Sequence, residues 1–556
     1  MHAALRVPEL LDFICESLHR PLPPLSEVYE YQPGSELVRL ACTCRAFYGS
    51  ALRQLWRTVP LSAVLRLWPD DAWDTRSLGS PPRMTMVLKY ARRLRDSDWD
   101  RIRAYEAHIR ELIVVGSNPS LDVVLPTLAS HLPITMFRNL NTLVWDRNAD
   151  YIDLFLRTSV SHIVVEAYKL GTRLPLLLER ISDSPCRLRS LTLTEGATRT
   201  PPSTSHSVFP NTPQVHHVFL EPISRFIITL TLCSAPLTNL HVPTLSMAGL
   251  SCLSRLASLH SLALDVLPRA LALDSSEVWP FPELQELSIT HEDTPLVARF
   301  LQRLRPGVPL RSFQVEFQPY PTADGQHDLF GALAACLGNA TLEVLSLAVQ
   351  DIYDEDSIRL LDDPELYVLP AETLRLLLSP AFKSLRHVTV ASALGFGGDI
   401  DDDFLEDLAR AWPAAETITL LGPAAVHRPA CSLKSLASLQ RECPALQALT
   451  LRFAVESVEL SVPAREHPLT RLDVQNSPFL VDNLKPRRVA RYLAALFPHL
   501  RAIATAGEYS EGFDSDSDED EEEFDYGVNE LPDHWLRYDR EKRWHKLWKA
   551  VEARLN

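Results

Sequence analysis

Glycine is scarce in this chain: 18 of 556 residues, about 3% against an average near 7%. Nucleotide-binding α/β enzymes place glycine wherever backbone must approach phosphate, and neither GxGxxG nor GxxxxGK[ST] occurs. The G-x-S-x-G nucleophile elbow and the H-E-x-x-H zinc pair are absent too. No uninterrupted apolar run approaches the roughly 18 to 20 residues that span a bilayer, and the longest candidates, around Phe226 to Cys233, are strand-length. The N-terminus lacks the long apolar core of a signal peptide, and the nine cysteines are odd in number and scattered. Both features point to a reducing compartment, cytoplasmic and/or nuclear. A basic excess is missing as well. The net charge is −16, and Glu511 to Asp525 alone holds ten acids and no bases. The remainder is near neutral and offers no field for nucleic acid or an anionic membrane.

What is present is an ordinary globular composition, 46% hydrophobic and 23% charged, sufficient for a large packed core. In the first sixty residues three runs show helical spacing: Leu10, Leu11, Ile14, Leu18; then Leu37, Leu40, Ala41, Cys44; then Phe47, Ala51, Leu52, Leu55, Trp56. Three helices in about 50 residues bury little surface alone, so the unit wants a partner. These residues resemble the F-box, whose pattern runs LPxELLxxI, a helix ending in Cys-Arg-aromatic, then LW. Pro8, Glu9, Leu10, Leu11 and Ile14 match the first part, Leu37, Leu40, Cys44, Arg45 and Phe47 the second, Leu55-Trp56 the last. One residue is missing between Pro8 and Glu9, and the connection His19 to Gly34 is longer and richer in proline than the family's usual turn. The resemblance implies docking on the Skp-family adaptor of a cullin ligase, with Pro8, Leu11, Ile14, Leu40 and Trp56 in or supporting the contact.

From Ile109 onward a phrase recurs, typically L-x-x-L-x-L: LRSLTL, LTNLHV, LHSLAL, LQELSI, LRSFQV, LEVLSL, LRHVTV, LQALTL and LTRLDV, with weaker copies at IRELIV, LNTLVW, SHIVVE, VHHVFL, AETITL and LRAIAT. About fifteen copies between Leu112 and Ile503 give roughly 28 residues per repeat, inside the range of leucine-rich repeats, which the chain resembles over roughly 400 residues. The asparagine that usually follows the motif is mostly absent. In an extended segment alternate side chains share a face, so the second and third apolar positions enter one core and the residues between them face out. Helical stretches between copies close on a proline at Trp412-Pro413, Cys443-Pro444 and Phe497-Pro498. The expected fold is α/β: a three-helix F-box (residues 1–60), a helical linker (61–107), a curved leucine-rich-repeat solenoid with an inner parallel sheet and outer helices (108–508), an acidic disordered loop (509–530) and a C-terminal capping helix (531–556), whose apolar residues are Trp544, Leu547, Trp548, Val551 and Leu555.

No catalytic constellation emerges. Cys42-x-Cys44 has no second pair to complete a zinc site. His216 and His217, read as strand residues, point to opposite faces. The expectation is therefore a binding protein without catalytic residues, cofactor or metal. Outward strand residues would line the concave face and touch a protein substrate: Ser190, Thr192, Asn239, His241, Asp265, Glu286, Ser288, Gln314, Arg471 and Asp473. Ser515 and Ser517, each with an acid three residues on, are candidate phosphorylation sites. By resemblance to fungal-type F-box proteins with leucine-rich repeats, the chain would be the substrate receptor of an SCF-type ligase. The alternative is an adaptor-bound interaction scaffold that assembles no ligase.

Overall fold

The computed structural model describes the chain except residues 1–6, 20–34, 79–82, 89–93, 116–118, 134–135, 195–212, 233–235, 273–276, 318–319, 338–340, 350–362, 393, 423–427, 457–465, 481–484, 506–532 and 556. Ser515, Ser517 and the whole acidic stretch (509–530) fall outside the described residues. Two compact units divide the chain, Met1–Leu264 and Asp265–Asn556.

The first unit opens with helices α1 (Pro8–Ser17), α2 (Ser35–Thr43) and α3 (Arg45–Leu55). Pro8 sits in the first turn of α1, where a missing N–H costs nothing, and Glu9 beside it complements the helix N-terminus. The shared core is small: Cys15, Leu37 and Ala51, with Leu40, Ala41, Phe47 and Leu55 packed around it. Polar clamps assist. Arg53 pairs with Asp12 at 2.5 Å and Arg57 with Glu16 at 3.3 Å, tying α1 to the end of α3. Hydrogen bonds from Ser50 and Arg53 hold the Asp12 carboxyl below the usual range.

Next come β1 (Thr58–Pro60), an antiparallel hairpin β2 (Trp73–Leu78) and β3 (Arg83–Leu88), then β4 (Glu111–Val114), β5 (Thr142–Trp145), β6 (His162–Glu166), β7 (Ser190–Thr194), β8 (Asn239–Thr244) and β9 (Ser261–Val266), which crosses the boundary. The second unit holds β10 (Glu286–Glu292), β11 (Ser312–Phe317), β12 (Val344–Val349), β13 (His387–Ala391), β14 (Thr417–Leu421), β15 (Ala448–Thr450), β16 (Arg471–Asp473) and β17 (Ala502–Ala504). In the first unit β1 pairs parallel with β4, and β4 to β8 follow in chain order. In the second, β10 to β17 do the same.

Fourteen copies of the repeated phrase fall on the fourteen strands β4 to β17. The copy Val215–Leu220 does not: it lies in the helix Pro213–Leu232. Its apolar spacing of three also fits a helix, and Ile223, Phe226, Ile227 and Leu230, all buried, extend the stripe at helical period. His216 and His217 are therefore helical, not strand, residues. Two features before residue 108 depart from expectation, one at the end of the span read as an F-box (1–60) and one within the span read as a helical linker (61–107). Thr58-Val59-Pro60 joins the parallel sheet ahead of the first phrase, with Val59 in register with Leu112. The hairpin β2–β3 falls in that linker span, and in its second strand Met84, Met86 and Leu88 recur at period two.

The register shows why the phrase specifies the sheet. Leu287, Phe313, Leu345, Val388, Ile418, Leu449, Leu472 and Ile503 align across β10 to β17, and none is more than 1% exposed. Each such burial contributes about 1.5–3 kcal/mol relative to exposure. The backbone repeats with the side chains. The Arg311 carbonyl accepts from the N–H groups of Glu343 and Val344, that of Glu343 from Arg386 and His387, and that of Arg386 from Glu416 and Thr417. Helices stop in one way. Trp412, Cys443 and Phe497 each donate to the carbonyl four residues back and leave the helical region at ψ 59°, 70° and 81°. The following proline disfavours a helical conformation at these residues. Each carbonyl then accepts from the residue three positions on, Ala415, Leu446 or Leu500, where the next phrase begins.

One buried histidine links this turn to pH. His467 is 2% exposed. Its Nδ1 accepts from the Leu469 N–H at 3.3 Å, so Nε2 carries the proton to the Cys443 carbonyl at 3.0 Å. Burial lowers its pKa, partly offset by that carbonyl. A depressed folded-state pKa leaves this contribution fully present above the unfolded value near 6.5 and removes it as pH falls through that value towards the folded one. Thermal stability of the wild type should therefore fall more between pH 7 and 5 than that of His467→Gln. Equal pH slopes in calorimetric melts would show that His467 does not titrate with unfolding.

Candidate functional site

The N-terminal helices present an unsatisfied apolar surface. Nine large apolar side chains among the described residues are exposed, and six of them, Val7, Leu10, Phe13, Leu18, Val38 and Tyr48, lie within the first 48 residues. Helix α1 carries two stripes. Leu11 and Cys15, one turn apart, enter the core, while Leu10 and Phe13 lie on another side at 45% and 70% exposure. Soluble surfaces seldom group apolar side chains this way unless something covers them. Of the residues expected at an adaptor contact, Pro8 is exposed, Ile14, Leu40 and Trp56 are half-buried, and Leu11 is buried at 5% exposed. Leu11 thus supports the surface from beneath. Trp56 stacks on Tyr105 at 4.6 Å between ring centroids, anchoring the end of α3 to the helix Asp100–Glu106. Leu10 was legible as a family match, but Phe13, Val38 and Tyr48 were not, since an apolar residue off the core stripe carries no periodic signal.

The second candidate is the outer face of the sheet. Across β10 to β15 its middle row is Ser288, Gln314, Ser346, Thr389, Thr419 and Thr450, a ladder of short polar side chains. Glu286, Ser288 and Gln314 adjoin one another, Glu286 and Gln314 exposed and Ser288 half-buried. Arg471 is exposed on β16, some five strand spacings (roughly 24 Å) from Gln314 on β11. Asp473 is 5% exposed, and its Oδ1 accepts from the Gln475 N–H at 3.0 Å. It builds the turn after β16 and does not stand free on the face as expected. Asp265 accepts from the Thr290 hydroxyl at 3.1 Å. In the first unit Asn239 is exposed, and Ser190, Thr192 and His241 are half-buried. There the outer row is partly apolar: Ile113 and Val144, in register, are 2% and 0% exposed although they point away from Leu112 and Leu143.

Burial pushes the thiols of Cys336, Cys431 and Cys443 up to about 12, so none is a thiolate nucleophile at neutral pH. Glu166, buried at the end of β6, is pushed up to about 7 by desolvation and by Asp146. Because that pKa is raised, its protonation favours the folded state below the unfolded value near 4.5, and the effect is lost as pH rises through about 7. A shallow cleft of about 530 Å³ on the helical side of the second unit is lined by Arg375, Leu378, Ser379, Asp407, Arg410 and Ala411. It holds neither cysteine nor histidine.

A short apolar phrase falls on parallel strands taken in chain order, with its apolar positions in register and a crossover after each. The fold is that of leucine-rich repeats. The assignment rests on that register. No family model matches the sequence, and no curated protein does. Among solved structures the chain is similar to an internalin from Listeria monocytogenes, at 14% identity and a TM-score of 0.26, over 58% of this chain and 77% of that one.

Proposed function

We propose that this repeat protein is the substrate-recognition subunit of a cullin-based, SCF-type ubiquitin ligase. The helices α1 to α3 act as an F-box on the Skp-family adaptor, and the repeats hold a protein substrate. The concentration of six exposed apolar side chains in the N-terminal helices carries the reading, together with the match of Pro8 to Trp56 to the F-box pattern. The chain itself is non-catalytic and needs no cofactor. It supplies proximity, placing substrate lysines within reach of a recruited conjugating enzyme. Short polar side chains on the outer sheet face suit a protein surface, where specificity comes from many modest contacts.

Co-purification with adaptor and cullin tests this. The full chain should capture adaptor, and cullin should follow only when adaptor is present. Adaptor without cullin would make the chain an interaction scaffold, and failure to bind adaptor would remove the F-box reading altogether.

A further inference from the structure

We propose that the basic face of the helix Pro486–Leu496 is a docking surface for a short acidic segment of a partner protein. Lys485, Arg487, Arg488 and Arg491 are all exposed. Among the described residues, none of the four enters an ion pair or a side-chain hydrogen bond. The helix does not need them for its place in the fold. Val489, Ala490, Tyr492, Leu493 and Leu496 bury its other face, and the Tyr492 hydroxyl donates to the Leu433 carbonyl at 2.9 Å.

Local electrostatics argue against this arrangement as a stabilising device. The first turn holds no acid, and Lys485, Arg487 and Arg488 crowd the positive end of the helix dipole. Arg487 and Arg491 are like charges one turn apart, which is destabilising. The helix Asp402–Ala411 of the same unit follows the opposite rule: Asp401 caps it, Asp402 and Asp403 occupy its first turn, and Arg410 near its end pairs with Glu406 and Asp407. Some surface arginines of the same unit are matched, Arg386 with Glu416, Arg428 with Glu456 and Arg441 with Glu442, whereas Arg305, Arg471 and Arg501 stand singly at the surface. Four cations within seven residues, three of them at the positive end of one helix and none with a counter-charge among the described residues, are the pattern expected of an anion-binding surface.

Size and overall charge select the partner. Four cations suit the few carboxylates of a short segment, whereas a nucleic-acid duplex or an anionic membrane needs an extended basic field, which a chain near neutral outside residues 511–525 does not offer. The inference is independent of the adaptor reading, because the surface lies in the second unit. A fluorescein-labelled deca-glutamate peptide, titrated with the full chain and followed by anisotropy, tests it. Binding should weaken as salt rises. It should fall on the order of tenfold or more in Lys485→Ala/Arg487→Ala/Arg488→Ala/Arg491→Ala. The variant Arg487→Lys/Arg488→Lys/Arg491→Lys should retain binding, and adaptor capture should be unchanged in both. No binding by the wild type, equal binding by the alanine variant, or loss in the lysine variant overturns the proposal. Stronger binding to duplex DNA or to phosphatidylserine vesicles than to the peptide, abolished in the alanine variant, overturns the choice of partner.

Discussion

If the N-terminal helices dock an adaptor as proposed, Phe13→Asp should remove adaptor capture and leave those helices folded, whereas Leu11→Asp should unfold them. The two residues lie two positions apart on α1, yet Phe13 is 70% exposed and Leu11 5%. In the free chain an aspartate at Phe13 meets water and costs little. In the complex it would forfeit the burial of a phenylalanine, about 1.5–3 kcal/mol, and place a carboxylate against an apolar partner. A total of roughly 3 kcal/mol or more corresponds to a loss of at least about 100-fold in affinity. Leu10→Asp should act in the same direction and more weakly, since Leu10 is already 55% covered. At Leu11 the charge enters the buried side of a three-helix unit whose shared core, centred on Cys15, Leu37 and Ala51, is only a few side chains and has little stability to spare. Isothermal titration with purified adaptor, paired with far-ultraviolet circular dichroism, separates the cases. Retention of wild-type affinity by Phe13→Asp would place the contact elsewhere.

How much of this was readable beforehand depends on periodicity. The strands announced themselves because the phrase L-x-x-L-x-L both repeats and alternates, and because a proline after Trp412, Cys443 and Phe497 marks each return. At Val215–Leu220 the same spacing misled, since two apolar residues three apart satisfy a strand phrase and a helix equally. Only the continuation through Ile223, Phe226 and Ile227 decides for the helix. β1 escaped notice because three residues, one of them proline, carry no pattern. The candidate surfaces were less legible than the fold. Polarity at alternate positions identified Glu286, Ser288 and Gln314 as outward, but could not separate them from Asp473, whose carboxylate is turned back to the Gln475 N–H. Nor could it foresee that Ile113 and Val144 are buried on the outer side. Which side chain a neighbouring segment covers is a tertiary fact, and alternation records only the direction of the Cβ atom.

The C-terminal helix Asp533–Glu552 yields the other large effect, through Trp548. Its ring is 1% exposed, set edge-on against Phe453 and Phe479 at 5.7 and 5.1 Å, and its Nε1 donates to the Ser477 carbonyl at 3.0 Å. Val551, one turn on, is fully buried. Glu552 accepts the Ile503 N–H at 2.9 Å, occupying a donor on β17, which among the described residues is the last strand of the sheet and pairs on one side only. The helix thus covers both the apolar end of the repeats and part of an open strand edge, the two liabilities of a repeat array's terminus. Trp548→Ala should destabilise the second unit by about 3–5 kcal/mol through the cavity it leaves, with roughly 1 kcal/mol more for the unpaired Ser477 carbonyl. That corresponds to a drop in melting temperature on the order of 5–10 °C. Trp548→Phe keeps most of the volume and loses the hydrogen bond, so it should recover most of the difference. Removing residues 527–556 should destabilise further and promote self-association through the uncovered edge, visible as a shift to earlier elution in size-exclusion chromatography. A truncated chain that melts with the wild type and remains monomeric would mean that the helix rests on the repeats without capping them, and its tryptophan would then be better explained as an anchor for another protein.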